Sequence, residues 1–318
     1  LAHIDRGGVG GQVTVRLAKS LLEAMGRLEG LSAKEQTLIG NAYASNELRD
    51  YDEAERHLRE GAIGGYSVAE VNYIQILKTN ARWDELDLHL SRCGNCTLRL
   101  APYEALYLDL TPQDLLRIAK RHGDMARRAS SPYTPLTPWW AGADGFGGGR
   151  MTIAYASTDI KVSHPIGQLL VPILRYHDRS RVSVLCLDLS QIGIQRSQSG
   201  VWKQQVKEVC DGGYEHITGC AVNTCAERIN GFRVSVLINL NGWAGEDRFD
   251  ILSMNPARAQ VSLLGYAGTS GVSSTDSLVT DATSSPPEFR KDYSERLLTY
   301  MPGFHHIMPH KHNFGDRG

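Results

Sequence analysis

The segment from Ser130 to Arg150, SSPYTPLTPWWAGADGFGGGR, carries Pro132, Pro135 and Pro138 and then a cluster of glycines. Proline removes backbone donors and glycine adds backbone freedom, so neither a helix nor a central strand runs through it. A chain so interrupted must be built separately on each side. The two sides have different periods. From about Val13 to Arg128 apolar residues recur three and four apart, the period of an amphipathic helix. After Arg150, short β-branched runs alternate with amphipathic stretches, the pattern of a mostly parallel sheet covered by helices. This predicts a helical region over 1–129, a linker over 130–150 and an α/β region over 151–318.

In the helical region Leu17, Leu21, Leu22, Met25 and Leu28 form a stripe expected to face a core. Ile39, Gly40 and Tyr43, followed by Tyr51, Ala54 and Leu58, resemble a tetratricopeptide repeat, in which a small residue at each helix crossing permits close packing. The Tyr43 to Tyr51 spacing is two residues longer than that repeat normally has. One such unit cannot bury its face alone. It is expected either to end an array continuing upstream of Leu1 or to pack on the chain downstream of it. A second pair of helices, around Asn72–Leu77 and Trp83–Leu90, would be its neighbour.

The balance of 34 basic against 35 acidic side chains in 318 residues gives no electrostatic footprint for nucleic acid. No apolar run approaches the roughly 18 residues needed to span a bilayer. The first ten residues lack the regions of a signal peptide and begin with Leu1, so the chain reads as an excerpt. Of six cysteines, Cys93 and Cys96 form one CxxC without a second pair at zinc-finger spacing, and Cys220 and Cys225 lie far along the chain. Free thiols in a reducing compartment, without a metal, are the expectation.

Strands are predicted at Met151–Ser157, Val182–Leu187, Val234–Asn239, Gln260–Leu264 and Leu278–Thr280. Helices are predicted near Ile166–Tyr176, Val201–Val209, Thr224–Ile229 and Phe249–Ser253. In such sheets the ligand crevice lies at the carboxyl ends of the strands. His164 stands there before Pro165 at a helix start, either as a general base or as a cap. His216 sits on a short third strand beside Glu215, and the two histidines could share one cleft. Asn239, Asn241 and Gly242 end another strand, and Gly265, Gly268 and Gly271 follow the next, where glycine lets a ligand approach backbone amides. The only Asp-x-Asp, Asp50 and Asp52, lies at a helix start, where aspartate caps, and not at a metal-binding strand end.

The runs MTIAYASTD leading to HP, VSVLINLNGWAG, NPARAQVSLLGYAGTSG, Asp276 to Asp281 with SSPPEF, and DYSERLLTYMP resemble the amino-terminal half of the catalytic region of the O-linked N-acetylglucosamine transferases. GYAGTSG is the most specific of these. RWDELD, APYEALYLDL and IAKRHGDMARR resemble the helical segment that joins that family's repeats to its catalytic region. The resemblance implies a tetratricopeptide-like helical region followed by a Rossmann-like lobe, the first half of a two-lobed GT-B glycosyltransferase. It implies transfer of N-acetylglucosamine from UDP-GlcNAc to Ser or Thr hydroxyls of acceptor proteins, by inverting displacement with neither metal nor other cofactor. It also implies residence in the cytoplasm or nucleus, with no nucleic-acid or membrane partner. By motif match His164 falls on the family's active-site histidine and His216 on a second histidine near the acceptor. Leu264, Gly265, Tyr266 and Thr269 fall on the loop lining the acceptor and sugar pocket.

Three departures stand out. Ala267 replaces a usual proline, Ile166 to Gln168 replace a more polar run, and Glu215 replaces a common asparagine and could raise the pKa of His216. The family continues beyond Gly318 into a second lobe that grips the nucleotide, so this chain alone is expected neither to bind UDP nor to turn over. The alternatives are a protein O-fucosyltransferase using a GDP-sugar, and an inactive scaffold that binds partners through its helices.

Overall fold

The computed structural model describes residues 9–141, 149–161, 164–190 and 200–300. The chain forms two compact units, Leu1–Leu100 and Ala101–Gly318. That division falls ahead of the proline- and glycine-rich segment, because the long helix preceding the segment packs on the Phe249–Leu252 helix and the Pro287–Asp292 turn of the α/β region.

The first unit comprises α1 (Val9–Gly26), α2 (Ala33–Tyr43), α3 (Tyr51–Ile63), α4 (Ser67–Thr79) and α5 (Trp83–Arg92), then a 3₁₀ turn at Cys96–Arg99. A capping box starts α2: the Ser32 hydroxyl accepts from Glu35 N while the Glu35 carboxylate accepts from Ser32 N. Asp50 caps α3 by accepting from Glu53 N, the role expected of the Asp-x-Asp. Small residues set the crossings. A Cβ on Gly40 would sit 2.7 Å from Leu58 Cγ, and one on Gly61 would sit 2.9 Å from Ala69 Cβ. Around these contacts Ile39, Tyr43, Ala54 and Leu58 are all buried, the repeat-like packing read from the sequence.

The α1 stripe does not face a core. Leu22 is buried, but Leu17, Leu21, Met25 and Leu28 are 60%, 57%, 48% and 60% exposed. At 100° per residue those four share one face and Leu22 lies to its side. The helix packs that side on α2 and leaves the wider face open among the described residues.

The second unit begins with α6 (Pro102–Ala105) and α7 (Pro112–Ser130). Its strands are β1 (Met151–Ser157), β2 (Val182–Asp188), β3 (Gly213–His216), β4 (Val236–Asn239), β5 (Ala259–Ser262), β6 (Ser277–Asp281) and β7 (Arg296–Tyr300). They form one parallel sheet in the order β3-β2-β1-β4-β5-β6-β7. The connecting helices are α8 (Pro165–Arg175), α9 (Gly200–Val209), α10 (Val222–Gly231) and α11 (Phe249–Leu252). Alternate residues of the central strands feed opposite cores. Ala154, Ala156, Leu185 and Leu187 pack with Ile229, Phe249 and Ile251, whereas Tyr155, Val184 and Cys186 pack with Leu170, Leu174 and Val206. Burial on both faces is why these strands read as continuous apolar runs. The sequence reading lacked β7, a five-residue edge strand whose Arg296 and Thr299 break the apolar run.

The expectation of free thiols is not met. The cysteines are paired as Cys93–Cys96, Cys186–Cys210 and Cys220–Cys225. Cys186 on β2 and Cys210, just after α9, meet only because the crossover lays that helix back on its own strand, which brings their Cα atoms within 5.8 Å.

Candidate functional site

The strand order reverses between β1 and β4, and polar groups gather where the chain leaves these two strands. Thr158 N donates to Asn241 Oδ1 at 2.9 Å, and Asn241 Nδ2 donates to Thr158 Oγ1 at 3.0 Å and to Asp159 Oδ2 at 2.8 Å. Asn239 Oδ1 accepts from Asn241 N and Gly242 N, fixing the turn after β4. Lys161 Nζ donates to the other oxygen of Asp159 at 3.0 Å. Burial opposes ionisation of Asp159, but the Lys161 hydrogen bond, the nearby His164 and Lys161 charges and the Asn241 amide outweigh it. They hold the carboxyl below the usual aspartate range.

His164 is the N-cap of α8, where its Nδ1 accepts from Ile166 N at 3.3 Å. With Nδ1 accepting, the neutral ring carries its proton on Nε2 and presents a donor. His216 closes β3 in register with Asp188 of β2, which is itself in register with Ser157 of β1. His216 Nδ1 lies 3.1 Å from Asp188 Oδ2, an ion-pair distance without hydrogen-bond alignment, and the ring stands edge-on to Tyr214. Asp188 is fully buried and also accepts from Ser190 N and the Tyr214 hydroxyl. Glu215 is not the group facing His216, because consecutive strand residues point to opposite faces. His216 ends β3, whereas His164 lies seven residues beyond β1 at the start of α8, and His216 is the one with a carboxylate at ion-pair distance.

The loop after β5 is held from behind. Gly265 N donates to Leu263 O, with Leu264 between them at φ 77°, a γ-turn unusual for leucine. A Cβ at Gly265 would collide with the Leu240 carbonyl, so only glycine fits there. The Tyr266 ring is wedged between Gly242 and Gly268 beside Trp243, and burial and the nearby Glu295 charge push its hydroxyl pKa well up. Thr269 Oγ1 donates to Glu295 Oε2 at 2.7 Å, and Ser270 N and Oγ both donate to Glu295 Oε1. Gly271 (φ 67°) and Gly123 of α7 approach so closely that a Cβ on either would collide with the other segment's backbone. Trp243 Nε1 donates to Ser270 O, tying the turn after β4 to the same loop.

Asp159, Asp188 and Glu295 were not singled out from the sequence. Asp188 ends β2 and Asp159 follows β1 by two residues, which was the available signal. Glu295 precedes an edge strand and lies in the DYSERLLTYMP run, which marked the segment and not the residue.

The topology and its polar switch point define a Rossmann-like ligand-binding lobe. The chain belongs to glycosyl transferase family 41, which matches residues 99–316. It is 31% identical over 167 residues to the Arabidopsis thaliana probable UDP-N-acetylglucosamine–peptide N-acetylglucosaminyltransferase SEC, covering 52% of this chain and 16% of that protein. It is 32% identical over 212 residues to the Caenorhabditis elegans UDP-N-acetylglucosamine–peptide N-acetylglucosaminyltransferase, covering 63% of this chain and 17% of that protein. The chain therefore spans under a fifth of the length of these relatives. A Thermobaculum terrenum O-GlcNAc transferase mutant superposes with a TM-score of 0.61 at 23% identity, over 92% of this chain and 54% of that one. That likeness establishes the fold, a helical region followed by the first lobe of a GT-B glycosyltransferase. No helix among the described residues is long and apolar enough to cross a membrane.

Proposed function

We propose that this chain is the first lobe of a protein O-N-acetylglucosaminyltransferase, which with a second, nucleotide-gripping lobe moves N-acetylglucosamine from UDP-GlcNAc to Ser or Thr hydroxyls. The acceptor oxygen attacks the anomeric carbon as the bond to UDP breaks, inverting that centre and releasing one proton. No metal is needed in this scheme. The observation that carries the reading is the row of polar groups at the carboxyl ends of β3, β2, β1 and β4 in a chain of this family.

The hydrogen bonds divide the work. His164, whose Nδ1 is occupied by a backbone donor, offers Nε2–H to a substrate oxygen. His216, with Nδ1 against the buried Asp188, has Nε2 as its free nitrogen and is the stronger candidate to take the proton. Leu264, Gly265 and Tyr266 shape the wall of the pocket, and Thr269 fixes that wall to Glu295.

The test is transfer of labelled N-acetylglucosamine to lysate proteins by the full-length protein that carries this chain. His216→Ala there should lower turnover by about a hundredfold or more, the scale of a lost general base. Unchanged turnover removes His216 from the mechanism, and no transfer to any protein by the unmutated enzyme ends the proposal.

A further inference from the structure

The CxxC of Cys93 and Cys96 lacks a second pair in the sequence, but the fold supplies other partners. His89 and Cys93 are four residues apart at the end of α5, so they share a helix face. Gly94 at φ 59° turns the chain back and delivers Cys96 to the start of the 3₁₀ turn. Glu70, in the first turn of α4, completes the group. One ligand atom from each of Glu70, His89, Cys93 and Cys96 lies within 4.8 Å of the others.

A tetrahedral zinc ion with bonds of about 2.0–2.3 Å needs its ligands roughly 3.3–3.8 Å apart, so small side-chain rotations suffice. Two further observations point the same way. His89 Nε2 is buried and has no hydrogen-bond partner. Arg99 Nη1 donates to Glu70 Oε2 at 2.5 Å, which orients the carboxylate and leaves its second oxygen available, the outer-shell arrangement common at metal sites.

We propose that, when Cys93 and Cys96 are reduced, Glu70, His89, Cys93 and Cys96 bind one Zn²⁺ that clamps α4, α5 and the following turn. The two thiols release two protons on binding. Two thiolates, one carboxylate and one neutral imidazole then surround the ion, and their net charge with zinc is −1, partly balanced by Arg99. Thiolate donors select zinc over magnesium or calcium. The disulfide joining the same two sulfurs is the metal-free alternative, reached only when an oxidant such as a disulfide removes two electrons. The site lies in the helical unit and is independent of the transferase reading.

The experiment titrates the whole chain, reduced with a phosphine and freed of metal, with Co²⁺ and then Zn²⁺. The expected result is one Co²⁺ per chain with the visible bands of a tetrahedral thiolate site, bleached by Zn²⁺. A C93S/C96S variant should lose the bands although its other four cysteines remain. H89A should bind more than about a hundredfold more weakly, beyond the roughly 10–100-fold typical of losing an outer-shell partner. A variant with His305, His306, His310 and His312 replaced by Ala should bind as before. The oxidised chain should bind nothing at this site. If the reduced chain shows no such bands, if they persist in C93S/C96S, or if H89A binds normally, the assignment is wrong. Because H89A leaves both cysteines in place, its affinity and circular dichroism decide the matter even if the double serine variant unfolds.

Discussion

Replacing Gly271 by Ala should be among the most destabilising single-methyl changes in the second unit, and the structure sets its size. Gly271 has φ 67°, and a Cβ there would meet the backbone of Ala119 and Lys120 in α7. The left-handed conformation costs an alanine about 1–2 kcal/mol, and overpacking of a fixed contact costs about 1–3 kcal/mol, so the sum is about 2–5 kcal/mol. Gly219 separates the two contributions: its φ is 68° but nothing lies within 4 Å of its added Cβ. Gly219→Ala should therefore lose only the backbone part. Gly123→Ala meets the Gly271 carbonyl from the opposite side. In a helix it regains about 1 kcal/mol of propensity, which leaves a net cost of about 0–2 kcal/mol, so it should cost less than Gly271→Ala. Urea denaturation followed by tryptophan fluorescence measures all three. If Gly271→Ala costs no more than Gly219→Ala, α7 does not buttress the loop and that part of the reasoning fails.

Four further outcomes rest on the site and core. Glu295→Gln exchanges a buried acceptor of hydrogen bonds from Thr269 and Ser270 for a group that is half donor. It should cost about 1.5–3 kcal/mol, read as a lower urea midpoint. The folded pKa of Asp159 lies below its ordinary 3.8, so its contribution to stability is present above that pH and lost as pH falls through the folded value. Asp159→Asn should flatten the acid limb of a stability–pH curve in that window, and an unchanged limb would refute it. Asp188→Asn weakens the hold on His216 and should lower turnover of the full-length enzyme about tenfold or more with little change in KM. Phe249→Ala empties a fully buried ring site against Trp243, whose ring centre is 4.4 Å away. A loss of about 3–5 kcal/mol is expected on thermal or urea unfolding.

The fold was legible because its causes are local. Met151–Ser157 is buried on both faces and announces itself as a strand, and Pro165 after His164 marks the start of α8 as a cap would. The α1 stripe misled because periodicity shows that a face is apolar and says nothing about what covers it. The histidines were found by their place at strand ends, yet their partners were not. Glu215 neighbours His216 along the chain, whereas Asp188 neighbours it across the sheet.

The sequence by itself determined the alternation that forces a parallel sheet, the break between Ser130 and Arg150, and the glycines that mark tight approaches. Each depends on residues adjacent in the chain or on the preferences of one backbone position. Only the tertiary structure decided the rest: Asp159 bound to Asn241, Asp188 set against His216, Glu295 behind Thr269, and Glu70 beside the CxxC. These pairs come from different elements, and their distances are fixed by sheet register and helix crossing, which no single stretch of sequence contains.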